Sequence, residues 1–416
     1  MSNKTIKRPS FGRLFPVFLV FAFLLPLPLS AHDFGLILNQ NIGFEGTGND
    51  TGSDYEAALI PRFSMLIDDY GDLFLSASLK VSYSNEEWSF IPELLRNEFS
   101  WAFGDTDLRV GRMIFSDPMG IAAAGLFDGI RISHHTMLGT FGGGLWYTGL
   151  LYKNRANISM TAGDAESMSE ELDWSDFSNT YFASRRLMAA LYWEHPSVAE
   201  LFRLNVAFIC QIDLNGRTNS YHNQYLIAHA SLLHQNFIFE LGGALETAQS
   251  VNGGSTDFYF GLAGGIGIHW LPPAPFHNML SFTGLFTSGR AGSGSRSVFT
   301  PITTVSQGEI LQGKISGLSI LSLAYTARIY RTFSVALSAS YFIRSDSETF
   351  MAYPLNGQPS DSYFLGTELF GRFIWNPVSD MSLNLGAGVF LPSMGDVAPN
   401  ADTRWRVEMA ATLALR

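Results

Sequence analysis

The chain has 416 residues, a net charge of -11, 46% apolar and only 15% charged residues, with 40 glycines and 34 phenylalanines. Soluble domains carry about 25% charged residues, so this chain is short of surface charge. Its apolar, aromatic content excludes disorder, its glycines and lack of heptads exclude a coiled coil, and its acidic balance argues against a nucleic-acid partner.

The chain opens with a basic stretch (Lys4, Lys7, Arg8, Arg13), then an apolar run Leu14 to Leu29 broken by Pro16, Pro26 and Pro28, then Ser30-Ala31 and polar His32-Asp33. That pattern predicts a secretory leader over 1–31 with cleavage after Ala31. The leader holds four basic residues and no acidic one, so its loss takes the charge from -11 to -15. Cys210 stands alone, which excludes a disulfide-stapled exported fold and a cysteine zinc site. No later stretch reaches the ~20 uninterrupted apolar residues of a spanning helix. An exported, apolar, glycine-rich chain without such a helix has one other way to cross a bilayer, the closed β-barrel.

A barrel predicts segments of about 10 residues of alternating polarity separated by turns. In Arg203 to Leu214, Leu204, Val206, Phe208, Cys210, Ile212 and Leu214 share one face, and Arg203, Asn205, Gln211 and Asp213 the other. The same rhythm gives strands at 34–46, 55–68, 73–84, 88–103, 106–114, 126–136, 140–153, 185–194, 202–214, 222–233, 237–248, 256–270, 279–289, 315–330, 333–345, 361–375, 381–391 and 403–416. The connections alternate between short (Gly104-Asp105, Arg331-Thr332) and long (154–184, 290–314, 392–402), which places both termini in the periplasm. Aromatic residues recur near strand ends (Trp101, Phe103, Trp146, Tyr147, Trp193, Trp270, Trp375), as at membrane interfaces. The expected fold is all-β: one domain, 32–416, a transmembrane antiparallel up-and-down β-barrel of about 18 strands. The long loops 154–184, acidic, and 290–314, Gly/Ser-rich at its start, can fold inward as a constriction or cover the outer mouth, with a mobile surface segment the favoured reading.

If the apolar face meets lipid, parity assigns Arg96, Glu98, Arg109, Arg203, Asp213, Glu240, Glu246, Arg328, Arg344, Glu368, Arg372, Arg404, Arg406 and Glu408 to the interior. The densest arginine group is Arg328, Arg344, Arg372, Arg404 and Arg406 on the last five strands. Arginine suits carboxylate or phosphate because its planar fork donates two parallel hydrogen bonds, and charged residues in a low-dielectric channel set ion preference.

The run Asp107-Leu108-Arg109-Val110-Gly111-Arg112, followed by a loop and Leu126-Phe127-Asp128-Gly129-Ile130-Arg131, resembles the strand pair of alginate-export-type outer-membrane porins. The resemblance covers about 25 residues. It implies an 18-stranded monomeric barrel with an Arg-rich lumen, and lumen roles for Arg109, Asp128 and Arg131. The interior is less basic than an alginate exporter needs, and the chain ends Ala414-Leu415-Arg416 rather than on an aromatic. Passage of general polar solutes therefore fits better than alginate itself.

Other motifs carry little. Gly264-Gly265-Ile266-Gly267 has no following helix or lysine and reads as strand curvature. His134 and His135 point to opposite faces and cannot chelate together, and no metal or cofactor is expected. Ser133, His134 and Asp128 do not form a nucleophile set, so no enzyme is expected. The expectation is an outer-membrane channel of a diderm bacterium for polar, anionic or saccharide solutes. Its partners are outer-membrane lipid, the solute and the barrel-insertion machinery. The alternative is a surface adhesin or structural barrel with a plugged lumen.

Overall fold

The computed structural model describes residues 32–48, 50–84, 87–216, 219–252, 255–274, 276–290, 297–346 and 362–415. The expected leader, 1–31, lies outside the described residues. In chain order the strands are β1 (His32–Thr47), β2 (Asp50–Asp68), β3 (Gly71–Ser84), β4 (Glu87–Phe103), β5 (Thr106–Ser116), β6 (Ala124–Thr136), β7 (Gly139–Tyr147), β8 (Arg186–Val198), β9 (Phe202–Asp213), β10 (Asn219–His234), β11 (Phe237–Asn252), β12 (Ser255–Trp270), β13 (His277–Thr287), β14 (Leu318–Tyr330), β15 (Phe333–Arg344), β16 (Phe364–Val378), β17 (Met381–Leu391) and β18 (Arg404–Leu415). Each pairs antiparallel with its neighbours in the chain. β1 also pairs β18, from Leu36↔Leu415 to Thr47↔Arg404, so the sheet closes and leaves no free edge.

The alternation fixes which face is which. Phe208 and Ile212 on β9 are exposed, while Ile209 and Gln211 are fully buried. On β18, Val407, Met409 and Leu413 are exposed, while Arg406 and Glu408 meet charged partners inside. A strand of 11 residues such as β5 spans about 36 Å at ~3.3 Å per residue. Tilted by ~40°, it covers the roughly 25 Å apolar band of an outer-membrane barrel.

At the short-turn end the outer wall carries stacked aromatic pairs across neighbouring strands. Phe141–Trp193, Phe237–Trp270 and Phe333–Trp375 have ring centroids 6.2, 6.3 and 5.8 Å apart. Tyr83–Trp88 (5.0 Å) marks the other end. Trp146 departs from the sequence expectation. It points inward and is buried against Phe115, at 4.5 Å between centroids.

The strand expected at 140–153 ends at Tyr147. There Thr148 bends the chain inward, its hydroxyl donating to the Ser184 carbonyl (2.6 Å) and its N–H to the Arg186 carbonyl (3.1 Å). The surface-loop reading of the long connections is overturned. Segments 117–123, 148–185 and 297–317 fold into the barrel and bond to one another. The N–H of Ile302 donates to the Ala122 carbonyl (2.7 Å), and that of Thr304 to the Asn157 carbonyl (2.8 Å). Phe299, Ile302 and Ile315 are buried with Met113, Phe127, Tyr225 and Ala244 of the inner wall. A second apolar cluster joins Ile310 and Leu311 to Phe342, Phe370 and Phe390. The inner faces of β5–β13 are apolar over much of their length, and the loops bury that surface.

Candidate functional site

The inward loops are held by charged side chains of the wall. Arg186 on β8 is fully buried and binds Asp164 (2.5 Å) and Asp213 (3.4 Å). Asp164 also closes a capping box with Thr161 at the start of the helix Ala162–Ser169. On β11 the buried Glu246 accepts the Thr300 N–H (2.6 Å) and the Asn223 amide (3.0 Å). Glu368 on β16, 3% exposed, accepts three backbone N–H groups in a row, from Glu309 (2.7 Å), Ile310 (3.0 Å) and Leu311 (2.9 Å). Gly308 makes that turn possible. Its φ is +79°, and an added Cβ would stand 2.8 Å from the Glu368 carboxylate. Between β5 and β6, Asp117 accepts the N–H groups of Met119, Gly120, Ala122 and Ala123 at 2.8–2.9 Å. Burial pushes its carboxyl above the ordinary range, and those hydrogen bonds pull against the rise.

The loops pack mainly in front of β5–β13, and residues 309–311 reach on to β14–β17. Clefts open on the inner wall at β3–β5, lined by Asp72, Arg96, Glu98 and Arg109, and at β1, β2 and β18, lined by Glu45, Arg404 and Trp405. On one side, Arg406 meets Glu45 (3.0 Å), Asp54 (3.4 Å) and Glu408 (3.5 Å). Beside it, Arg372 meets Glu408 (2.8 Å) and Glu309 (3.4 Å). On the other side, Glu98 takes both Arg96 (2.7 Å) and Arg109 (3.2 Å). Arg96 also lies 4.7 Å over the Phe74 ring. Arg131 faces Arg109 directly across β5 and β6, and its Nε donates to the Tyr192 hydroxyl (2.6 Å) with the guanidinium 4.8 Å over that ring. Tyr192 lies flat against Gly142, where a Cβ would collide with its ring. Arg62 stands on the same face, level with Ser76 and Arg96. Glu98 thus holds two guanidinium groups, Arg96 and Arg109, in a cleft that Asp72 and Asp107 also line, while Arg62 lies over Gly35 and Arg131 over Tyr192 on the same wall.

The arginine group expected on the last five strands disperses. Arg344 is buried at the long-loop end and donates to the Ser362 carbonyl (2.7 Å). Arg328 is exposed at the short-turn end and donates to the Arg331 carbonyl (2.9 Å). Arg404 is at the long-loop end in a pocket with Glu45 and Trp405. Arg372 and Arg406 are matched by Glu45, Asp54, Glu309 and Glu408. Arg203 sits 3.8 Å from Glu194 near the short turns. Glu368 is consumed by the turn it clasps.

Asp128 departs from its expected lumen place. It has the parity of exposed Ile130 and Ile132 and forms a two-pronged pair with Arg112 at 2.8 Å, whose guanidinium also reaches the Leu94 and Leu150 carbonyls. Phe127 and Arg131 are the inward members of β6. The residues the sequence left out, Arg62, Glu45, Asp54 and Glu309, lie on β1, β2 and the third inward loop. Arg62 follows the parity of Glu56 and Ala58, but Ile60 on the same face hides it.

No protein-family model and no curated protein matches the chain. Solved structures do. The chain is similar to OccK2 (OpdF) of Pseudomonas aeruginosa, at TM-score 0.62 and 9% identity over 93% of this chain and 98% of that one. A structure of the same protein in complex with glucuronate aligns at TM-score 0.60 and 10% identity, over 93% of this chain and 99% of that one. The outer membrane protein OprD of the same organism aligns at TM-score 0.57 and 10% identity, over 92% of this chain and 94% of that one. The shared fold is a closed 18-stranded porin barrel.

Proposed function

We propose that the chain is an outer-membrane porin that passes small polar solutes and favours anions, through the sector left open by its inward loops. The observation that carries this is the lumen wall of β2–β6, where Arg62, Arg96, Arg109 and Arg131 gather on neighbouring strands, two of them sharing Glu98 and one held over Tyr192. An arginine held by an aromatic ring or a shared carboxylate keeps donors free for a passing anion. The glucuronate complex of a barrel with this fold supports an acidic sugar as a fitting solute. The finer likeness to alginate-export-type porins rests on residues 107–131 alone, and Asp128 does not share the lumen with Arg109 and Arg131. Export through the 1–31 leader, delivery by the barrel-insertion machinery and residence in the outer membrane of a diderm bacterium belong to the same proposal. The chain acts as a conduit, with no bond-making step.

Liposome swelling tests the reading. Vesicles carrying the refolded barrel should swell faster in glucuronate than in a neutral hexose of similar size. Replacing Arg96 and Arg131 together by Glu should abolish that preference while neutral sugar still enters. Equal rates before and after the replacement would sink it.

A further inference from the structure

Eight of the nine histidines lie at the short-turn end of the barrel, so their placement is one-sided. They are His32, His134, His135, His195, His229, His234, His269 and His277; only His222 stands near the other end. Four have lumen parity. His135 shares its face with Arg131, His229 with Ile227, His269 with Ala263, and His277 faces the inward Arg328. The other four have the parity of the lipid-facing wall.

The surroundings of the inward four are charged. On β5, Asp107 binds His135 Nε2 (2.9 Å); on β7, Thr140 takes Nδ1 (2.9 Å); Glu194 of β8 is next in that row, beside Arg203 of β9. His269 lies 3.3 Å from Glu240 on β11 and 2.8 Å from the Ser281 hydroxyl on β13. His229 faces Asn205 of β9 and Gly242 of β11, with Arg203 and Glu240 one rung nearer the turns. His277 is opposite Arg328 of β14. Asp33 of β1 and Asp72 of β3 complete the rim. Among these inward side chains, five carboxylates (Asp33, Asp72, Asp107, Glu194, Glu240) outnumber two guanidinium groups (Arg203, Arg328), and four protonated imidazoles reverse that sum.

We infer that this histidine rim is a second selectivity element, in series with the arginine wall, whose preference for anions is set by proton concentration. It rests on the channel reading above. Imidazoles gain their proton between about pH 8 and pH 5, and low-dielectric walls focus the charge they acquire onto the path. Two of the four already touch a carboxylate. A proton on His135 cancels the charge of Asp107, which faces the same cleft as Arg96 and Arg109, and one on His269 cancels that of Glu240.

The test is the reversal potential of the full barrel in planar bilayers, in a potassium chloride gradient at low salt, at about pH 8 and about pH 5. The chloride-to-potassium permeability ratio should rise about threefold or more on acidification. The variant His135→Gln, His229→Gln, His269→Gln, His277→Gln should lose most of that rise. His134→Gln, His195→Gln, His234→Gln, on the outer wall, should keep it. Single changes at His135 or His269 should each lose part, so the inference stays testable if the fourfold variant does not refold. A ratio independent of pH, or a rise undiminished in every inward variant, overturns the inference and leaves the porin reading standing. A barrel silent at both pH values overturns the porin reading first.

Discussion

Glu368 and Glu246 show how far a single carboxylate can be from its sequence reading. Parity puts both on the inner face, where an acid would be expected to meet solute. Both instead accept backbone N–H groups of the inward loop, at 2.6–3.0 Å. Alternation tells the side of the sheet, not what will pack there. Replacing Glu368 by Ala should free the 308–311 turn, giving larger and noisier single-channel currents; unchanged traces would mean the clasp does not hold the constriction. Arg186 is the cation counterpart. Removing one partner of a buried ion pair costs about 3–5 kcal/mol. Asp164→Asn should therefore loosen segment 153–181, read as faster proteolytic nicking there while the barrel core resists. No gain in nicking would contradict that role.

At the scale of elements, the strands were legible because a membrane barrel repeats one rule along every segment, an apolar face outward at every second residue. β9 and β18 follow it closely, and the closing pairs of β1 with β18 need no special motif. The loops were not legible. Their apolar residues, such as Phe299, Ile302 and Leu311, have no period, and what buries them comes from strands far away in sequence. The family resemblance alone gives Asp128 a lumen place, whereas its parity is that of Ile130 and Ile132 and its partner is Arg112. Cysteine labelling checks both levels. In a Cys210→Ser background, probes at 204, 206 and 208 should be shielded by lipid, and one at 203 should label through the lumen. A probe at 211 has lumen parity but lies beneath the inward loops and should stay unlabelled. Rapid labelling at 211 would show that the loops do not rest on β9.

For the whole molecule, the net charge of -11 says little about the path. Acidic residues such as Glu166, Glu171 and Asp173 sit on the loop surface, and inside, charges are sorted by sector. β16–β18 and β1 are balanced by ion pairs, whereas β2–β6 gather Arg62, Arg96, Arg109 and Arg131 on one wall. Asymmetry of this kind can make a wetted barrel selective, because a crossing solute meets arginine donors gathered on one wall and tied-up ion pairs on the other. The measurement closest to this claim is single-channel conductance of the refolded barrel, with the reversal potential in a salt gradient at neutral pH. Steady conductance with a reversal potential on the anion side, moved to the cation side by Arg96→Glu with Arg131→Glu, is the result expected. A folded barrel that stays silent, or one whose selectivity ignores that replacement, would contradict it.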